Sequence, residues 1–136
     1  MELTVKFDAD GSLVTLLATG DVDREGFRGK VEAVLSHPAW HPGIPALCDF
    51  RELNIDKLSA DDIKHLVEIH RGYAELTKET PSPIAVVVAK KLDFALIRMW
   101  ELYANGMFPM HNVFLQMEDA LNWLRECDLK NTKEHE

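Results

Sequence analysis

The run Ile-Ala-Val-Val-Val-Ala at 84–89 restricts the fold more than any other stretch of this chain. Pro81 and Pro83 mark its start, and Lys90-Lys91 follows it. A strand that is apolar on both faces suits a parallel sheet covered on both sides. The rest of the chain therefore has to supply neighbouring strands and the helices that cover them.

It does so in alternation. Leu3, Val5 and Phe7 alternate with Glu2, Thr4 and Lys6, which predicts a strand with one buried face. Turn residues at 8–11 lead to a second strand at 13–18, and so short a loop predicts an antiparallel hairpin. The first strand reads as an edge and the second as central. Asp21 or Asp23 can cap a helix that runs to about Ser36, where Pro38 disfavours helix at His37. Its apolar residues are Phe27, Val31, Val34 and Leu35. A third strand is expected at 45–50. Ser59 opens a second helix, with Asp62 completing a capping box. Ile63, Leu66, Val67, His70, Tyr73 and Ala74 form its buried stripe. A third helix at 92–104, a fifth strand at 113–115 and a last helix at 117–126 complete the order β-β-α-β-α-β-α-β-α. This is one α/β domain over 1–127, a mostly parallel sheet of about five strands with an antiparallel N-terminal edge strand. The polar tail, 128–136, is expected to fray.

Composition excludes several classes. The chain has 136 residues, 15 basic against 23 acidic side chains and a net charge of -8, which argues against a duplex nucleic-acid partner. Hydrophobic residues make up 46%, enough for a core without disulfides. Cys48 and Cys127 lie far apart with no CxxC, and Cys48 sits in an apolar run as a small hydrophobe. Residues 1–7 form a strand and not a signal peptide. The longest uncharged stretch, 102–117, is interrupted by Asn105, Gly106, Pro109, His111 and Asn112, so no membrane span is expected. A cytoplasmic location follows as the expectation.

Several phrases carry a likeness: Val14-Thr15-Leu16 through Gly20, His37-Pro38-Ala39-Trp40, Leu47-Cys48-Asp49-Phe50-Arg51-Glu52-Leu53, Ile84-Ala85-Val86-Val87-Val88, and Val113-Phe114 followed by Ala120-Leu121-Asn122-Trp123-Leu124. With the element order, they resemble the STAS superfamily, the fold of sulfate-transporter cytoplasmic domains and anti-sigma-factor antagonists. The closer likeness is to its SpoIIAA-like branch of small bacterial proteins. The resemblance implies a four- or five-stranded sheet with helices on it, and no known reaction. Anti-sigma antagonists carry a phosphorylatable serine, in an Asp-Ser-Ser-Gly-like phrase, where the helix after the third strand begins. Residues 54–59 here are Asn-Ile-Asp-Lys-Leu-Ser, lacking the paired serine and the glycine. Only Asp56 and, loosely, Ser59 correspond. Ser59 is thus a helix cap first and a phosphorylation site second.

Two places could hold a site. Ligands of open α/β sheets lie beyond the carboxyl ends of the strands. Asp49, Arg51, Ser59, Lys90 and Lys91 gather at that rim, the two lysines placed against the dipole of the following helix. The second place is the helix at 92–104. Its apolar residues fill an arc of about 220°, whereas a helix on a sheet needs about 100°. Leu96, Met99, Trp100 and Tyr103, continued by Met107 and Phe108, form a surface to be covered by the same chain, a second subunit or an apolar ligand. His65 and His70 project about 140° apart and cannot chelate together. No HExxH, Cys/His cluster, GxSxG, GxGxxG or P-loop occurs, so no metal, cofactor or catalytic set is expected.

These features predict a non-enzymatic cytoplasmic binding or regulatory module that acts through protein–protein interaction, as a homodimer or with a regulatory partner. One alternative is a carrier or sensor of a small apolar or lipid-like ligand under 92–104, resembling CRAL-TRIO carriers. A second is an enzyme at the strand-end rim.

Overall fold

The computed structural model describes residues 1–134, with side chains described through Asp128. The chain runs β1 (Glu2–Phe7), β2 (Val14–Asp21), α1 (Arg24–Ser36), β3 (Ala46–Asn54), α2 (Ala60–Leu76), β4 (Ile84–Val87), α3 (Lys91–Ala104), β5 (His111–Phe114) and α4 (Met117–Glu134). The predicted α/β order is the one observed.

The strands hydrogen-bond in chain order, β1-β2-β3-β4-β5. β1 is antiparallel to β2 and every other pair is parallel. Right-handed crossovers that step one way across a sheet put successive helices on the same face. Accordingly, Phe27 and Val34 of α1, Leu66 and Tyr73 of α2, and Leu96 and Trp100 of α3 pack into one core with Val14, Leu16, Cys48 and Val86. The alternate strand residues Leu47, Ala85 and Val87 point the other way and meet Ala120 and Leu124 of α4. β4 is thus covered on both faces. Val88 lies beyond its last ladder residue, yet its N–H donates to the Phe114 carbonyl at 3.0 Å.

Local chemistry sets the helix ends. Asp23 caps α1 by accepting the Gly26 N–H. At α2 the Asp62 N–H donates to Ser59 Oγ at 3.1 Å, and the Ser59 N–H donates to Asp62 Oδ2 at 3.0 Å. This closes the expected capping box. α3 stops where Asn105 turns left-handed, φ 47°, followed by Gly106 at φ 81°.

Several boundaries differ from expectation: β4 stops at Val87 and not at 89, and β5 spans His111–Phe114 and not 113–115. β2 and β3 both run further than 18 and 50, because their ladder resumes after a shift between Leu17 and Thr19, pairing Thr19 with Glu52 and Asp21 with Asn54. The shift is a bulge in β3. It lets Phe50 and Leu53, three apart, face the same core. Asp49 and Arg51 therefore lie within a strand and not at its end. α4 continues past 126 to Glu134, so the backbone of the tail is helical that far. The rest of the tail, 135–136, lies outside the described residues. Among the described residues no helix is long and apolar enough to cross a membrane.

Candidate functional site

Between the sheet and its three-helix layer the core does not close. A cavity of about 100 Å³ remains. Its floor is made of small residues, Ala46 and Cys48 of β3 beside Val14 and Val86. Above them, rings hold the helices off the sheet. Phe27 meets Phe50 edge-on at 5.9 Å, and Trp100 stacks on Phe108 at 5.6 Å. Such rings are rigid and pack in preferred offset or edge-on geometries, which leaves gaps that flexible side chains would fill.

Six lining residues carry polar side-chain atoms: Lys30, Cys48, His70, Tyr73, Trp100 and His111. The Lys30 ammonium nitrogen lies 4.9 Å from the Phe27 ring centre and 5.9 Å from that of Phe50. Among the described residues it has no hydrogen bond and no ion pair. Burial holds its pKa below the ordinary lysine value, with Cys48 opposing. Burial pushes the Cys48 thiol up, so it stays protonated and is a poor nucleophile. The His70 ring is pushed down to about 3, first by burial and then by the Lys30 charge. It is neutral near pH 7, and its Nδ1–H donates to the Leu66 carbonyl at 2.7 Å. Tyr73 Oη accepts from Trp40 Nε1 at 3.3 Å, and burial raises its pKa. His111 Nδ1 sits 2.8 Å from Glu101 Oε2, and Arg98 is 2.8 Å from Glu101 Oε1. Burial raises the Glu101 pKa, but bonds from His111 and Arg98 outweigh it and the net direction is down. Among the described residues no carboxylate lines the cavity.

The surface expected on the third helix divides in two. Leu96, Trp100 and Phe108 line the cavity. Met99 and Tyr103 face out, together with Leu92, 56% exposed, and Leu102, 80% exposed. The arc is wide because it contains an inner and an outer stripe, and this chain leaves the outer one bare. The Lys64 ammonium lies 5.3 Å from the Tyr103 ring centre. Met107 lines a separate cleft of about 260 Å³ beside the end of α2, with Phe108 common to both spaces.

The rim residues are not brought together. Arg51 grips Asp49 through Nε and Nη2, each 2.9 Å from a carboxylate oxygen, and these bonds lower the Asp49 pKa. Ser59 is engaged with Asp62. Lys90 and Lys91 are exposed at the start of α3. Among the described residues no hydrogen bond or ion pair links these three positions. Nor does any group of three or more His, Cys, Asp or Glu residues converge as a metal would need.

Two residues were missed in the sequence. Lys30 falls on the apolar stripe of α1, one turn after Phe27 and one before Val34, a spacing that could have revealed it. Asp93, in the first turn of α3, is 3% exposed, and its Oδ1 has no hydrogen-bond partner. Burial raises its pKa, with Lys90 opposing. An acid in a first helical turn is ordinary in sequence, so nothing there distinguished it.

The sheet order, the lone antiparallel edge and the helices on both faces make up a SpoIIAA-like fold. The chain is similar over 90% of its length to an uncharacterised protein of the DUF3478 family with a SpoIIAA-like fold from Shewanella loihica PV-4. The match covers 92% of that chain, at a TM-score of 0.58 and 21% identity. No protein-family model and no curated protein matches the sequence.

Proposed function

We propose that this protein is a non-enzymatic cytoplasmic binding module that holds a small apolar ligand beneath α3. The observation that carries this reading is the cavity, walled by Leu96, Trp100 and Phe108 and floored by the sheet. At about 100 Å³ it is smaller than an engineered cavity of ~150 Å³ that binds benzene. That size supports a compact ligand over a long acyl chain. A second reading, a regulatory module that pairs with a protein or a second copy, draws on the bare outer stripe of α3. Both fit a STAS-type module, and an enzyme at the rim does not fit the scattered residues found there.

Native mass spectrometry on protein taken from its own host tests both readings. A retained mass of small-molecule size, lost when Cys48→Phe fills the floor of the cavity, is the expected result. A subunit mass with nothing bound, together with no response to small apolar probes, would remove the ligand reading. A dimer that Leu102→Glu converts to a folded monomer would favour the pairing reading.

A further inference from the structure

We infer that the outer stripe of α3 is a contact between two copies of this chain, their α3 helices packed antiparallel about a two-fold axis at the level of residue 97. The inference rests on the pairing reading above and names the partner and its orientation. Asp93, Ile97, Trp100 and Ala104 mark the side of α3 turned to the protein. Leu92, Ala95, Met99 and Leu102 are all exposed. At 100° per residue these four fall within an arc of about 80° on the opposite side. That side of a surface helix ordinarily carries polar residues, and here it carries none. Their spacing of three, four and three residues is that of the a and d positions of a coiled-coil seam. A ridge of this kind offers a small molecule no enclosure, and it fits a second helix.

Shape and charge both select a second copy in antiparallel orientation. Run antiparallel, the seam pairs Leu92 with the partner's Leu102 and Ala95 with the partner's Met99. The small side chain then lies under the long flexible one, and each layer occurs twice, as a two-fold axis requires. Run parallel, Ala95 would face Ala95 across a gap and Lys91 would face Lys91. Lys90 and Lys91 stand at the amino end of α3, where cations oppose the helix dipole, and the last turn holds no basic residue. Antiparallel pairing sets each amino end beside the partner's carboxyl end, so each lysine pair meets the end that lacks a cation. Arg98 flanks the seam, but Glu101 neutralises it at 2.8 Å and Asn112 Oδ1 accepts from it at 3.0 Å. One helix pair lies at the small end of interface sizes, so the dimer is expected to be reversible and to form between about 10 μM and 1 mM.

The test is sedimentation velocity over that concentration range, with circular dichroism to verify folding. Leu102 is exposed, so Leu102→Glu should fold as the parent does and weaken dimerisation at least about tenfold. Lys91→Glu carries opposite signs. It should raise the stability of the dilute monomer, because an acid suits its own helix start, and weaken the dimer about threefold. Orientation is read by mixing Leu92→Cys protein with affinity-tagged Leu102→Cys protein and oxidising. The mixed disulfide should exceed either same-site product. A dimer that gives mainly same-site disulfides, or that tightens with Lys91→Glu, would overturn the antiparallel inference and leave the pairing reading standing. So would a dimer indifferent to Leu102→Glu. A monomer at every concentration would overturn the inference, and the pairing reading would fall with it unless native mass spectrometry of the host protein retains a different protein chain.

Discussion

On one face of the sheet three helices stand off the strands and leave about 100 Å³ empty, while on the other Ala120 and Leu124 of α4 pack against Leu47, Ala85 and Val87. The contact residues account for the difference. Ala85 and Ala120 in the α4 seam are both fully buried, and side chains that small let a helix approach its sheet closely. The α1–α3 face is built from Phe27, Phe50, Trp100 and Phe108, whose planes set the spacing before the aliphatic residues can fill it. Polar groups divide the same way. Lys30, Cys48 and His70 lie on the cavity side, whereas the cluster under α4 is built on Leu47, Ala85, Val87, Ala120 and Leu124. One sheet thus carries one face closed by small contact residues and another that holds a cavity lined by Lys30, Cys48 and His70.

The largest way to separate the two faces is acid. His70 is held near 3 in the folded protein, against about 6.5 in an unfolded chain. Between those values the unfolded chain binds a proton that the folded one refuses, so stability falls as pH drops. The expected loss is about 3 kcal/mol by about pH 4, measured by urea denaturation across pH. His70→Phe should flatten this dependence. An unchanged slope in that variant would assign the acid sensitivity to other groups.

Next comes packing. Ala120→Leu forces a larger side chain into the closed seam and should cost about 2 kcal/mol. Val86→Ile adds one methylene beside the cavity and should stay within about 1 kcal/mol of the parent, or stabilise it. Equal penalties for the two would mean that the cavity face is as tightly packed as its opposite.

Smaller still is the cap on α2, a wall of the cavity. Ser59→Ala should cost about 1 kcal/mol and Ser59→Asp much less, since aspartate also caps. Chemical denaturation that shows no loss in either variant would separate the cap from the stability of that wall. The smallest effect belongs to Arg51→Ala on the sheet surface. Arg51 is 48% exposed, and removing it should change stability by less than about 1 kcal/mol. A loss of several kcal/mol would show that β3 relies on this pair.

Most of the element order was legible because each signal is local. The Leu3-Val5-Phe7 alternation, the acid at 62 and the start of the apolar run at 84 read correctly without knowledge of distant residues, whereas 21 and 23 stood as equal candidates for the first cap. The length of β3 was not legible, because it depends on a bulge that only the pairing with β2 reveals. That one residue moved Asp49 and Arg51 from a rim into a strand. The width of the apolar arc on α3 was legible, but which half faces inward is a property of the crossing with α2 and the sheet. The cavity left no sequence signal, since a void is the space that many separate residues fail to fill. Lys30 left a faint one, because a lysine on an apolar stripe usually snorkels its charge to water.

The sequential strand order also governs how the chain assembles as it is made. Each parallel strand docks on the one synthesised just before it, so the sheet can grow at a single advancing edge without threading or waiting for a distant partner. That edge changes character along the way. After β3 it is capped by polar Asp49, Arg51 and Glu52; after β4 it is Ile84-Ala85-Val86-Val87, uncharged and open on its unpaired side until His111–Phe114 arrives. The interval in which α3 and the loop after it leave the ribosome is when this nascent chain is most exposed to pairing with another copy of itself.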